Sequence, residues 1–316
     1  MISRRILRIK VLQLLYAYYK STDANLDKVE KELFHSINKT YELYHYLLLL
    51  ILEITDYAAG RIEIARQKNY PSYEDLHPST KFIENKVIHQ IRINSDLNAY
   101  LHNNKLSWVK YPELIKKIYL KIRNSEAYKK YMDSPERSYE DDKQILYYIY
   151  ASCIATYEDL YSHLEEQSIY WNDEVEFIIS IIIKTIKGFK ENDGKNVRLF
   201  SLFKNEDDIE FVKRLFRKAV LHKEEYLELI QRFTQHWEIE RIAFMDILIL
   251  QLAITEVIEF ESIPTKVTFN EFLEISKYYS TNKSSIFING VLDKIIGYLK
   301  VNNRFRKQGR GLVGEI

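Results

Sequence analysis

An all-helical fold is what this sequence predicts, and three observations predict it. Glycine and proline are scarce, 8 and 5 in 316 residues, which leaves few places for the tight turns of all-β folds or of Gly-rich nucleotide-binding loops. Apolar residues recur at spacings of three and four along most of the chain. The composition, 46% hydrophobic and 29% charged, is that of an ordinary globular protein with enough apolar material for a sizeable core. Tyr and Phe, 25 and 15 in number, put rings into that core beside Leu and Ile.

Residues 2–19 read as the first helix. Leu7, Val11, Leu14, Leu15 and Tyr18 share one apolar arc, and Ser3 is placed to cap it. A break follows over 23–25. Residues 26–37 form a second helix with Leu26, Val29, Leu33 and Ile37 as its stripe, and a third covers 40–68 with Gly60 as a weak point. Pro71 and Pro78 bracket a loop. Residues 79–132 read as several short helices, one with Pro112 in its first turn. Ser134-Pro135 separates them from a helix over 139–164, and another over 174–186 ends before Gly188.

The polar stretch 188–208 reads as a link. Beyond it helices are predicted over 209–220, 223–233, 239–260, 269–279 and 284–301. Pro264 closes the region before the fourth of these, and Thr268 with Glu271 fits a capping box. Ser284 or Ser285 can cap the last helix, whose stripe is Ile288, Val291, Leu292, Ile295 and Leu299. Gly290 inside it is either a mild defect or the mark of a close helix crossing. Residues 304–316 read as a flexible basic tail.

Cys153 is the one cysteine. An internal disulfide and a thiolate metal site are therefore excluded, and a cytoplasmic location fits. Its place in the apolar run 147–155 makes it a packing residue. The basic start has no small-residue cleavage site, and Arg8 and Lys10 interrupt its apolar run, so it is not a signal peptide. The apolar stretch at 47–52 stops at Glu53, too short to span a bilayer. Asn38 and Asn282 head glycosylation patterns that carry no meaning in a cytoplasmic chain. The eight histidines lack metal-site spacings, and the glycines match neither a phosphate loop nor a dinucleotide turn. No catalytic residue, metal, cofactor or small-molecule substrate is expected, and the chain does not read as an enzyme.

The net charge is +1, but its distribution is uneven. Residues 1–20 carry Arg4, Arg5, Arg8, Lys10 and Lys20 with no acid, and residues 300–316 carry five cations against Glu315. Local concentration matters more than total charge for meeting a polyanion. Arg4, Arg5 and Arg8 lie beside the apolar arc of the first helix. They are either a plain solvated face or, as their guanidinium chemistry favours, contacts for phosphate. Lys213, Arg214, Arg217 and Lys218 form a second basic patch, which taken alone reads as solvated surface.

Two stretches resemble the NusB family of bacterial transcription antitermination factors. One is residues 4–19, with its paired arginines and Leu12-Gln13-Leu14-Leu15-Tyr16. The other is residues 240–295, with Ile-Pro-x-Lys-Val at 263–267, Asn270-Glu271, Ser-Lys-Tyr at 276–278 and Phe-Ile-Asn-Gly-Val-Leu-Asp at 287–293. The resemblance implies an all-α NusB-like fold built from 1–38 and 207–303, interrupted by a helical insertion over 39–206. It departs at Gln251, where the family commonly has arginine. It departs again at Ser280-Thr281-Asn282-Lys283, where acidic residues near a glycine are frequent. The resemblance places both on partner-facing surfaces.

What the resemblance implies is RNA binding and transcription antitermination. The partners would be a single-stranded element in nascent ribosomal RNA leaders, the small-subunit ribosomal protein NusE and the RNA polymerase elongation complex. Arg4, Arg5, Arg8, Lys10, Lys266, Phe287 and Asn289 are the expected RNA-facing residues, with Phe287 either core or a ring offered to a base. Glu256 is either surface charge or a contact for the ribosomal protein. The competing readings are a helical protein-binding scaffold without RNA and, more remotely, a subunit related to RNA methyltransferases.

Overall fold

The computed structural model describes residues 4–22, 25–203, 205–234, 242–281 and 283–314. The expected cap Ser3, the helix starts at Ile2 and Ile239, Asp23 of the expected break and Asn282 lie outside the described residues. Among those described there is no strand. The first ten helices are α1 (Arg4–Lys20), α2 (Leu26–Arg66), α3 (Tyr73–Leu76), α4 (Lys86–Arg92), α5 (Ser95–Asn103), α6 (Pro112–Asn124), α7 (Glu126–Asp133), α8 (Tyr139–Tyr148), α9 (Glu158–Gln167) and α10 (Val175–Gly188). Then come α11 (Glu206–Leu221), α12 (Lys223–Phe233), α13 (Phe244–Glu259), α14 (Thr265–Tyr279) and α15 (Ser284–Val301). The chain forms two units, a split unit of Met1–Ile37 with Ser201–Ile316 and an internal unit of Asn38–Phe200. Among the described residues no helix is long and apolar enough to cross a membrane.

In the split unit α13 is the central element. It is apolar almost all round and buried along nearly its whole length, as a helix must be when it lacks a polar face. Helices α1, α11, α12, α14 and α15 pack against it. Helix α1 contributes Leu7, Val11, Leu12 and Leu15, and α15 contributes Ile288, Leu292, Ile295 and Leu299, all buried.

The internal unit has its own core, drawn from α2, α4, α6, α8, α10 and a π-helical turn at Ile149–Ile154. Rings dominate it. Tyr46 stacks on Trp108 at 4.0 Å, and His45 stacks on Tyr100 at 3.7 Å. Their polar tips are served by the backbone: Trp108 Nε1 donates to the Tyr46 carbonyl at 3.0 Å, and Tyr150 OH to the Leu47 carbonyl at 3.0 Å. Burial pushes the Cys153 thiol above its ordinary pKa, which suits a packing role.

Several element boundaries differ from the expectation. The predicted break after Ile37 is absent, because α2 runs unbroken from Leu26 to Arg66, through Gly60 as well. Thr268 is not a cap: it lies inside α14, and its Oγ1 donates to Glu256 at 2.7 Å. Ser284 does not cap the α15 backbone either; its Oγ accepts from the Thr281 N–H and donates to Asp246. Nothing stands within 4 Å of where a Cβ on Gly290 would be, so no helix crosses closely there.

The stretch 188–208 is more than a link, since Phe189 and Val197 are buried in the internal core. The expected flexible tail is packed as far as it is described. Lys307 is buried and donates to the Val257 and Phe260 carbonyls at 2.9 and 3.0 Å. The Gln308 N–H bonds the Glu261 carbonyl at 3.0 Å. Gly311 is required there, because a Cβ would collide with that same carbonyl oxygen. Lysine donors at the end of α13 satisfy carbonyls that the helix itself leaves open.

Candidate nucleic-acid interface

The opening helix sets the site. Its apolar arc is buried, so the flanking arginines are held at fixed positions rather than on a loose end. Each arginine meets a carboxylate far away in sequence. Arg4 Nε donates to Asp208 at 3.1 Å, and Arg5 forms a bidentate pair with Glu271 at 2.9 and 2.8 Å. Arg8 forms a bidentate pair with Glu256 at 2.7 Å on both arms. Such forked pairs are the strongest geometry available to a guanidinium.

Arg4 and Arg5 keep 39% and 45% of their side chains accessible. Arg8 keeps 3% and Glu256 none. The expectation of an unneutralised arginine surface is therefore corrected. Acids are absent nearby in sequence, but tertiary packing brings α11, α13 and α14 alongside with one carboxylate each. Lys10 is also buried rather than facing outward, and so is Glu256, which accepts from both Arg8 and Thr268. The Glu271 carboxylate, through its hydrogen bonds, raises the Arg5 pKa above its ordinary value.

The remaining expected residues spread over α14 and α15. Lys266 is exposed in the first turn of α14, Asn289 is exposed on α15, and Phe287 is half-buried. Asn289 lines an open groove of about 450 Å3 with Asn270, Leu273, Lys277, Ser285 and Ile286. Glu274 lines the same groove and pairs with Lys277, which lowers its pKa from the ordinary carboxylate value. Glu271, the partner of Arg5, lies one turn from Glu274 on α14, and the charge of Arg5 also helps to lower the Glu274 pKa. Tyr278 and Ile286 are 81% and 76% exposed.

Asn270, Lys277, Tyr278 and Ile286 were not singled out from the sequence as site residues. The Ser-Lys-Tyr string held part of the signal: Ser276 is buried, while Lys277 and Tyr278 face out. Gln251, expected on a partner-facing surface, is fully buried, and its Nε2 donates to Tyr19 OH at 2.8 Å and to the Ala219 carbonyl at 2.6 Å. Burial raises the Tyr19 phenol to about 12. Of the Ser280–Lys283 departure, Ser280 turns inward to Asp246. Three members of the second basic patch are paired: Arg214 and Lys218 share Glu259 at 3.0 and 3.2 Å, and Arg217 reaches Glu30.

Comparison with known proteins gives one consistent result. The model of the NusB family matches residues 177–297. The chain is 44% identical to the transcription antitermination protein NusB of Salinibacter ruber over 105 residues, covering 33% of this chain and 66% of that protein. It is 35% identical to the NusB of Natranaerobius thermophilus over 95 residues, 30% of this chain and 68% of that one. It is 35% identical to the NusB of Chloroherpeton thalassium over 104 residues, 33% and 49%. The chain thus spans between about half and two thirds of the length of these relatives. The family match begins at Phe177, ahead of the resemblance drawn from 207, and does not include the opening helix. No solved structure matches.

Proposed function

The chain belongs to the NusB family, and on that premise we propose that it is an RNA-binding transcription antitermination factor. It binds single-stranded leader RNA and acts with the ribosomal protein partner NusE and the RNA polymerase elongation complex. The observation that carries this reading is the accessible guanidinium edge of α1, Arg4 and Arg5, beside the α14–α15 groove. Single-stranded RNA needs cations for its phosphates, and hydrogen-bonding edges and rings for its splayed bases. In this reading Arg4, Arg5 and Lys266 take phosphates. Asn270, Lys277 and Asn289 meet base edges, and Tyr278 and Phe287 offer rings. Arg8, Lys10 and Glu256 act from inside, holding α1 in place, and Glu256 influences any partner through Arg8 and Thr268.

Asp208 and Glu271 compete with phosphate for Arg4 and Arg5. The test is a salt titration of binding to a leader-derived RNA and to a scrambled one. Each neutralised phosphate contributes about 0.7 to the slope of log affinity against log salt for single strands. Replacing Arg4 and Arg5 by alanine should flatten the slope by up to about 1.4, similarly for both RNAs, with circular dichroism unchanged. Glu271→Gln releases Arg5 and should raise affinity. Absence of RNA binding, with and without the ribosomal protein, would leave the chain a helical protein-binding scaffold.

A further inference from the structure

We propose that the internal unit holds a site for a small organic anion, a carboxylate or phosphate on a ring-sized apolar body, with Lys81 as its charge partner. The argument starts from a buried ammonium. Lys81 is 3% exposed. Its Nζ donates to the Ser134 carbonyl at 3.0 Å and stands 4.4 Å from the centre of the Tyr131 ring. Among the described residues no carboxylate pairs with it, although burying an unpaired ion is costly. Asp142, the buried acid of the same network, is already engaged: it accepts from Tyr131 OH at 2.5 Å and from the Lys86 backbone N–H at 2.7 Å. The carbonyl at the end of α7 and the ring face offset part of the charge. An ammonium has three donors, and the Ser134 carbonyl takes one.

Lys81 lines a cavity of about 410 Å3 between α7 and α8, within the size range of small-molecule sites. Ala127, Tyr131, Ile145 and Tyr148 give it apolar and aromatic walls, and exposed Lys130 adds a second cation. Glu136 and Asp141 line it too, and Asp141 accepts from Ser138 Oγ at 2.7 Å. These acids set the polarity of the ligand: its anionic end lies at Lys81, and a hydroxyl or amine donor on its body serves the carboxylates. Directly after Tyr148 the backbone of α8 passes into the π-helical turn Ile149–Ile154. Such turns are rare and concentrate at functional sites.

The test is calorimetric titration of the full chain at low salt with 4-hydroxybenzoate and 4-hydroxyphenyl phosphate. Inorganic phosphate and 4-hydroxybenzyl alcohol serve as controls. Both ring-bearing anions should bind at least about tenfold more tightly than the uncharged alcohol, and more tightly than inorganic phosphate. Preference between the two anions tells carboxylate from phosphate. Lys81→Met should reduce binding about tenfold or more. Because that change could disturb folding, Ala127→Leu, which fills the cavity and leaves Lys81 intact, should also abolish it. Equal binding of the alcohol, equal binding of bare phosphate, or unaltered binding in Ala127→Leu with native circular dichroism would overturn the proposal.

Discussion

The two units solve the problem of burying polar groups in different ways. In the split unit, full charges go inside: Arg8, Glu256 and Thr268 form a hydrogen-bonded set on α1, α13 and α14, with Glu271 3.7 Å from Arg8. The internal unit also buries ions, Lys81 and Asp142 among them, but sets them among rings with one polar tip, such as Tyr46, Trp108, Tyr150 and His45. A buried ion pair fixes orientation through geometry and punishes loss of one member. A ring core gains from area and stacking and tolerates small shifts, but it makes any titratable ring sensitive to pH. The split unit therefore trades tolerance for placement, and it is the unit that positions α1.

The largest expected break of this contrast is Arg8→Met. It strands Glu256 in the interior and should cost about 3–5 kcal/mol, the usual penalty for half of a buried pair. Adding Glu256→Leu removes the stranded charge and should recover most of that loss. Guanidinium unfolding of the single and double variants measures both. Equal stability of the single variant and the wild type would mean that the pair does not hold α1.

The internal unit should instead respond to acid. Burial holds the His45 imidazole at about 4, below its ordinary value of 6.5. Its Nδ1 lies 2.8 Å from the Tyr41 carbonyl, and the ring lies flat on Tyr100. A depressed folded-state pKa means that the unfolded chain binds more protons. The stability from neutral His45 is thus complete above about pH 6.5 and is lost as pH falls toward 4. The full shift corresponds to about 3 kcal/mol. Burial lowers His163 as well, in the same direction. Replacing His45 by Phe should flatten the dependence of unfolding free energy on pH between 6.5 and 4. An unchanged profile would assign the acid response elsewhere.

The smallest effect treats both units alike. Gly60 on α2 and Gly290 on α15 are exposed, and nothing stands where their Cβ atoms would go. Alanine at either position should stabilise by about 0.5–1 kcal/mol through lower unfolded-state entropy. A loss at Gly290 would reveal that this helix face needs the open backbone in a way the packing does not explain.

Much of the local order was legible in the sequence. The stripes Leu7-Val11-Leu14-Leu15 and Ile288-Val291-Leu292-Ile295-Leu299 appear as the buried faces of α1 and α15. The ends of α12 and α15 fall where the spacing put them. The join inside α2 was misread because Asn38 and Lys39 look like a boundary, while helix propensity carries through them once both flanks are packed. The family strings at 263–267 and 287–293 sit in the stretch that the NusB model matches. Serine and threonine were read as caps because capping is their local habit. Thr268 and Ser284 turn instead toward buried acids that only the fold supplies.

What the sequence by itself determined, then, is the helical class, the faces of most helices and the family, since each rests on residues within a few turns of one another. What only the tertiary structure decided is the state of the charges. Arg4, Arg5 and Arg8 have no acid near them along the chain, yet their partners lie 204, 266 and 248 residues away. The same holds for Lys307, whose carbonyl partners are on α13 and at its end. Helical periodicity reports which side of an element is buried, because that depends on spacing alone. Which charge meets which depends on how the helices cross, and no local pattern encodes a distance between residues so far apart.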